Sequence, residues 1–522
     1  MKKKKLLTML LAVVMVFSIS AAFPQATHAL SIVDDPLDFT TMSTKDELTT
    51  EGWSWNSVSK DLILKDFVFK KNIGADEPAI KLPSGSKVTL IGNNRITHNG
   101  EGWGIKSEGS MIIKGNGNIS ITVHYEGIGA YNEGSSKGDC TIDGAKIRII
   151  NSVSRSIDVE NIFTMNSGKV FAFTTGDSGI AAHKTIINGG EIEIDSTSVG
   201  LSAENSVLIN GGNIGITSEN AAIDSNGVIT VNGGKTTIKS KNDGMVAYNI
   251  TIQKGILDII SDRVSLYSYE NLSINGGYGT IKSLDTTGSC VATICDNSKH
   301  SLKNGMIVLG WDGKAYTKNT VPGLHSGSWS LSPLHTFADS TTKVAHTNLR
   351  FGQDISKAGI TIASMTYTGN QIKPLKFISN GVSYGISANA NDIKYGKNKE
   401  IGKGTVTLTG NGIFLGTKTI SFNIMPKSNK VSKMTTGKKK MTVNWSTPDK
   451  KAQDIDKYQI KYRQKGQSKW ITKSFKASVS STTIKKLKTG KKYEVQVRSG
   501  KKVSGTWYYS PWSATKTTKK IK

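Results

Sequence analysis

Glu191, Glu193 and Asp195 alternate with Ile192 and Ile194, and one repeat earlier in the chain Phe171 and Phe173 fall at the equivalent places. A further repeat back, Arg148 and Lys146 stand in the same register. Period-two alternation marks strands with one face in and one face out. These residues therefore belong on an outward surface, with two aromatic rings facing solvent beside three carboxylates and an arginine. Rings of this kind stack on sugar faces, while carboxylates accept hydroxyl hydrogen bonds or hold calcium, a hard ion that prefers oxygen. Glu193 and Asp195 are the metal candidates of this patch. A second aromatic patch is expected further along, with Tyr248 stacked on Tyr269, Tyr267 beside them and Asp224 one repeat away.

Catalysis has thinner support. Carboxylates two apart on a strand stand about 6.5–7 Å from each other, inside the roughly 6.5–9.5 Å range of inverting glycoside hydrolysis. β-helical lyases use calcium-held carboxylates with a basic residue, and Arg148 is within two repeats. Yet the three acids come from one segment, and His98, His124, His183, His300, His325, His335 and His346 show no ligand-like spacing. An enzyme usually assembles its acid and base from several strands.

The element that must position these residues is a repeat. Ile187-Asn188-Gly189-Gly190 recurs as Ile209-Asn210-Gly211-Gly212 and Val231-Asn232-Gly233-Gly234, loosens to Ile252-Gln253-Lys254-Gly255, and returns as Ile274-Asn275-Gly276-Gly277. A period of about 22 residues marks a solenoid, whose repeats bury their apolar faces only by stacking. Each repeat adds a small residue and an apolar one, as in Gly179-Ile180, Gly200-Leu201, Ala222-Ile223, Gly244-Met245 and Ser265-Leu266. The register runs back through Met165, Ile142, Ile113 and Ile91 to Leu62-Ile63-Leu64, with an insertion near 133–139. The expected fold class is all-β: a right-handed parallel β-helix of about ten 22-residue rungs, followed by two β-sandwich modules. Asn166, Asn188, Asn210, Asn232 and Asn275 should stack in one column at turns that favour Asn-Gly. Trp311 and Trp329 are expected in a cap that closes the solenoid.

Residues 1–29 have the form of a signal peptide, with Lys2 to Lys5, an apolar run from Leu6 to Ile19, and Thr27-His28-Ala29 as a small-residue cleavage site. No other stretch reads as a membrane span, which needs about 20 apolar residues. An exported protein is expected, free or held non-covalently at a surface. Of three cysteines, Cys290 and Cys295 could pair and leave Cys140 single.

The charge of +27 is concentrated at one end: residues 427–522 hold 27 Lys or Arg against Asp449, Asp454, Asp456 and Glu494. That attracts anionic polymers by long-range, salt-sensitive forces. An exported protein makes nucleic acid the wrong partner, and an anionic cell-wall polymer the better one.

Glu51-Gly52-Trp53-Ser54-Trp55, Leu62-Ile63-Leu64 and the repeated Ile-Asn-Gly-Gly with its Gly-Ile pairs resemble the secreted β-helical carbohydrate-binding proteins of Gram-positive bacteria. The resemblance covers residues 30–349 and implies binding of acidic polysaccharide with calcium at Asp-Gly turns. Asp243-Gly244-Met245 alone matches such a turn well, which makes Asp243 a further metal candidate. Residues 350–426, with Tyr367-Thr368-Gly369 and Ile372-Lys373-Pro374, resemble a bacterial Ig-like module. Residues 427–522 resemble a fibronectin type III domain: Trp445 and Tyr458 would fill its core and Tyr493 its tyrosine corner. The chain reads as a non-catalytic, surface-associated polysaccharide binder. A β-helix lyase or hydrolase is the first alternative, and an adhesin with protein partners the second.

Overall fold

A computed structural model describes residues 31–132 and 137–284, short strand segments between 293 and 335, and 348–522 apart from short gaps. It is nearly all β and divides into two units: residues up to Asp354 with Gly412–Leu415, and Ile355–Asn411 with Gly416–Lys522.

The first unit is a parallel β-helix of about ten turns. Its regular part stacks Glu191–Ser196 on Asn213–Ser218, then Lys235–Ser240, Ile256–Ser261 and Tyr278–Ser283, every pair parallel and in step. The longer strand of each rung, such as Leu201–Ile209, pairs with Ile223–Val231 and then Met245–Ile252. The small–apolar pairs do share one inward column: Ile180, Leu201, Ile223, Met245 and Leu266 are in register and fully buried. Ile187, Ile209, Val231, Ile252 and Ile274 form a second such column. Burial of a side chain of this size is worth about 1.5–3 kcal/mol, and a rung obtains it only from its neighbours.

The turn between the two strands explains the Asn-Gly-Gly spacing. Asn188 donates its side-chain amide to Asn166, Asn210 to Asn188, and Asn232 to Asn210, at 2.9, 2.8 and 2.9 Å. Gln253 interrupts the run before Asn275. Gly212 has φ +86°, and a Cβ there would sit 2.8 Å from the Gly190 carbonyl oxygen.

The early rungs depart from a uniform repeat. Val88, not Ile91, is the partner of Ile113, and Leu62 is the partner of Val88, so these rungs are longer than the later ones. Ile91 is instead 40% exposed. Ile113 pairs with Ile142, as the insertion before Cys140 predicts. At the start, antiparallel strands Lys45–Glu47 and Trp53–Asn56 fold over the first rung. Phe39 packs against Trp53 and Trp55 there, with ring centroids 5.4 and 5.0 Å away. At the other end, Asn348–Asp354 pairs antiparallel with Tyr278–Ser283 and buries Leu349 and Phe351. The expected boundary at 349 falls inside this strand. Trp311, Trp329 and Cys290, and the side chain of Cys295, lie outside the described residues. Cys140 is a free thiol in the core, and burial pushes it up to about 12.

In the second unit, Met365–Thr366, Thr417–Met425, Gly402–Thr409 and Ile393–Tyr395 form one sheet of a sandwich module. The last module carries two marks expected of a fibronectin type III domain. Trp445 meets Tyr458 edge-on at 5.7 Å in its core, and the Lys488 amide donates to the Tyr493 hydroxyl at 3.1 Å, making the corner. Among the described residues, no helix is long and apolar enough to cross a membrane.

Candidate functional site

The outward columns of the first strand fall in the expected register: Arg148 beside Phe171 beside Glu193, and Ile150 beside Phe173 beside Asp195. Their environments differ from expectation at one ring. Phe171 is only 4% exposed, because the Arg148 guanidinium lies 5.5 Å from its ring centre and covers it. Phe173, with no such cover, is half-buried. Lys169 binds Glu191 at 3.1 Å and approaches Glu193 at 3.8 Å, so these two acids share one cation. Burial, then Glu193 and Glu219, raise the Asp195 carboxyl above the usual range, with Lys241 acting against them. Burial first, then the Arg95 charge, lowers the Arg148 guanidinium from its ordinary value.

The three tyrosines come together, with Tyr248 and Tyr269 tilted rather than stacked. Tyr248 and Tyr269 have ring centroids 5.3 Å apart, and Tyr267 meets Tyr269 edge-on at 5.0 Å. Tyr248 and Tyr269 are 49% and 40% exposed. Asp224 lies one rung before Tyr248, paired in register with Val246 of the Tyr248 strand.

The metal candidates do not converge. Asp243 sits at a turn two rungs beyond Glu193 and Asp195, where it accepts the Val264 amide at 3.1 Å and faces Arg263 at 3.6 Å. Among the described residues, no group of three or more His, Cys, Asp or Glu is placed to hold an ion.

The structure assembles a third cluster that spacing did not reveal. Tyr131 donates its hydroxyl to Asp158. Arg155 bridges two acids, donating to Asp158 at 2.9 Å and to Asp177 at 3.0 Å. Ser154 donates to Glu126 at 3.0 Å, while the second oxygen of Glu126 is buried without a partner among the described residues. Trp103 lies against Gly129, where a Cβ would come within 2.1 Å of the indole. Tyr131 and Tyr125 meet that indole edge-on at 5.2 and 6.3 Å, and Lys106 lies 5.0 Å over it. Burial raises the Glu126 carboxyl to about 7, against the pull of Ser154, Arg155 and Lys106. Asp158 is pushed upward too, first by burial and then by Glu126, Asp177 and Glu204. Carboxyls held near neutrality can donate as well as accept hydrogen bonds. The cluster escaped the sequence because it spans the longer early rungs, where a comparison at the later, shorter period aligns the wrong positions.

Both aromatic patches and this cluster lie on rungs with a recognisable relationship. Residues 72–219 and 177–330 match the family model of carbohydrate-binding domain-containing proteins. Residues 426–516 match the fibronectin type III domain. The two overlapping matches both include Glu191, Glu193 and Asp195; the first also holds Trp103 to Asp177, and the second the three tyrosines. No curated protein matches this chain. Two solved structures, one described as a myokine and one as a computer-based redesign of a β-sandwich protein, are 16% and 22% identical. They cover 19% of this chain and 99% and 100% of their own, each with a TM-score of 0.16.

Proposed function

We propose that this is a secreted, surface-associated, non-catalytic polysaccharide-binding protein of Gram-positive type. The β-helix is its binding face, the Ig-like module a spacer, and the basic fibronectin type III domain an attachment to anionic wall polymer. The carrying observation is that the carbohydrate-binding family match coincides with the rungs bearing exposed aromatics beside carboxylates. In this reading Phe173 and the pair Tyr248 and Tyr269 stack on sugar rings, with Tyr267 supporting them. Glu191, Glu193, Asp195 and Arg148 bind hydroxyl or acidic substituents, and Phe171 serves by holding Arg148 in place. Calcium takes part as a bridge between Glu193 or Asp195 and an acidic glycan, which supplies further oxygen ligands.

The test is affinity electrophoresis of the chain through gels containing neutral and acidic polysaccharides, with calcium and with chelator. Retardation by an intact polysaccharide supports binding, and its loss in chelator supports the calcium bridge. No retardation in any gel would remove the proposal and favour protein partners, as for an adhesin. A β-helix lyase or hydrolase remains the second reading, favoured by Glu126 and Asp158, whose raised carboxyls suit acid catalysis. Release of reducing or unsaturated ends, abolished by Asp158→Asn, would establish it.

A further inference from the structure

The four carboxylates of the basic module are each bound to one of its own cations. Asp449 takes Lys427, Asp454 and Asp456 share Lys501, and Glu494 takes Arg463 at 2.8 Å. The module therefore neutralises few of its 27 basic side chains internally. Some of that excess is arranged with unusual order on one sheet face.

Four cations and four rings alternate there. Lys457 lies 3.5 Å from the Trp507 ring centre and 5.2 Å from that of Tyr509. Arg498 sits between Tyr509 and Trp512, at 4.1 and 4.4 Å. Lys461 sits between Trp512 and Trp470, at 4.6 and 4.8 Å, and Arg463 follows at 4.4 Å from Trp470. Three of these cations come from one strand, Lys457–Gln464, so the row extends about 20 Å at strand rise. Gly500 makes room for it, since a Cβ would meet Tyr509 at 2.9 Å. Gln459 fixes Arg498 by accepting from two of its nitrogens at 2.8 and 2.6 Å.

We propose that this row is a binding site for a linear anionic polysaccharide. The inference rests on the polysaccharide-binding reading above and assigns its attachment function to named residues. Charge complementarity carries it: among the described residues Glu494 pairs with one of the four cations, Arg463, and an external anion would offset the repulsion among the others. Burial, and then Arg498 and Arg463, lower the Lys461 ammonium from its ordinary value. The rings hold the cations in fixed positions before the ligand arrives, which reduces the ordering cost of binding. All eight side chains are partly exposed, so rings and charges can both meet a polymer that alternates sugar rings with anionic groups.

The experiment measures affinity of the full chain for polygalacturonate, polyglycerol phosphate, neutral dextran and duplex DNA at several salt concentrations. Lys461→Gln with Arg498→Gln should weaken polygalacturonate binding about tenfold, as expected for two partly exposed charge contacts. Lys440→Gln with Lys485→Gln, an equal charge change at exposed positions on the other sheet, should alter it less than about twofold by the same reasoning. Lys461→Arg with Arg498→Lys should restore most of the affinity, which separates charge loss from misfolding. Equal losses in both glutamine pairs would show diffuse attraction and overturn the proposal. Tighter binding of polyglycerol phosphate than of polygalacturonate, or equal binding of DNA, would overturn the polysaccharide assignment. Wild-type chain that binds no polysaccharide at all would instead overturn the function proposed above, whereas intact binding in the Lys461/Arg498 variant would sink this inference alone.

Discussion

Arg148 covers Phe171: its guanidinium lies 5.5 Å from the ring centre, and the ring is left 4% exposed. A residue on the outward side of a strand has become part of the packing. Phe171→Ala should therefore destabilise the β-helix by about 3 kcal/mol, the lower end for a buried aromatic. Phe173→Ala, at a half-buried ring, should cost far less stability and lower polysaccharide affinity instead. Denaturation and gel retardation of both variants check this. Equal stability losses would place the two rings in the same environment.

Tyr248 and Tyr269 meet in a tilted pair, ring centroids 5.3 Å apart, and both are exposed. Replacing both by alanine should weaken polysaccharide binding by about 1 kcal/mol, or roughly fivefold. Thermal stability should change little, because neither ring is buried. An affinity that stays put while stability drops would make the pair a structural brace.

Gly212 and Asn210 test how the rungs hold one another. Gly212→Ala places a Cβ in a left-handed turn against the Gly190 carbonyl, which should cost about 1–2 kcal/mol. Asn210→Ala removes bonds to both Asn188 and Asn232, worth about 1 kcal/mol together at this exposed edge. Because repeats contact only their neighbours, hydrogen exchange should rise mainly in the rungs around 188–232. A uniform rise along the β-helix would point to a more cooperative unit.

What the sequence made legible follows from where its signals were strong. The Asn-Gly-Gly turns and the inward columns at Ile187 and Leu201 were readable because each rung repeats them at nearly one spacing. Register on the outward face followed directly, so Arg148, Phe171 and Glu193 were aligned correctly. Exposure did not follow, since period-two alternation says which way Phe171 points and nothing about the arginine laid across it. The early rungs, from Leu62 through Val88 and Ile113 to Ile142, are longer than the rest, which misaligned Ile91 and hid the meeting of Trp103, Glu126 and Asp158. Asp243 matched a family turn locally, yet its partner is Arg263 on the following rung.

Glu126 and Asp158 give the first unit a pH dependence with a definite sign. Both carboxyls are raised by burial, Glu126 from an ordinary 4.5 to about 7. The folded chain thus holds protons that the unfolded chain has released across this window. Stability is then fully present below about pH 4.5 as far as Glu126 is concerned, and is lost progressively as pH rises through about 7. Asp158 adds a loss of the same sign. Glu126→Gln keeps the hydrogen bond from Ser154 without a titrating proton, so it should flatten this slope and leave the variant more stable than the parent at pH 8. Denaturation midpoints from pH 4 to pH 8 decide the matter. A parent whose stability rises with pH over that range would mean that Arg155 and Lys106 outweigh burial and keep these acids ionised.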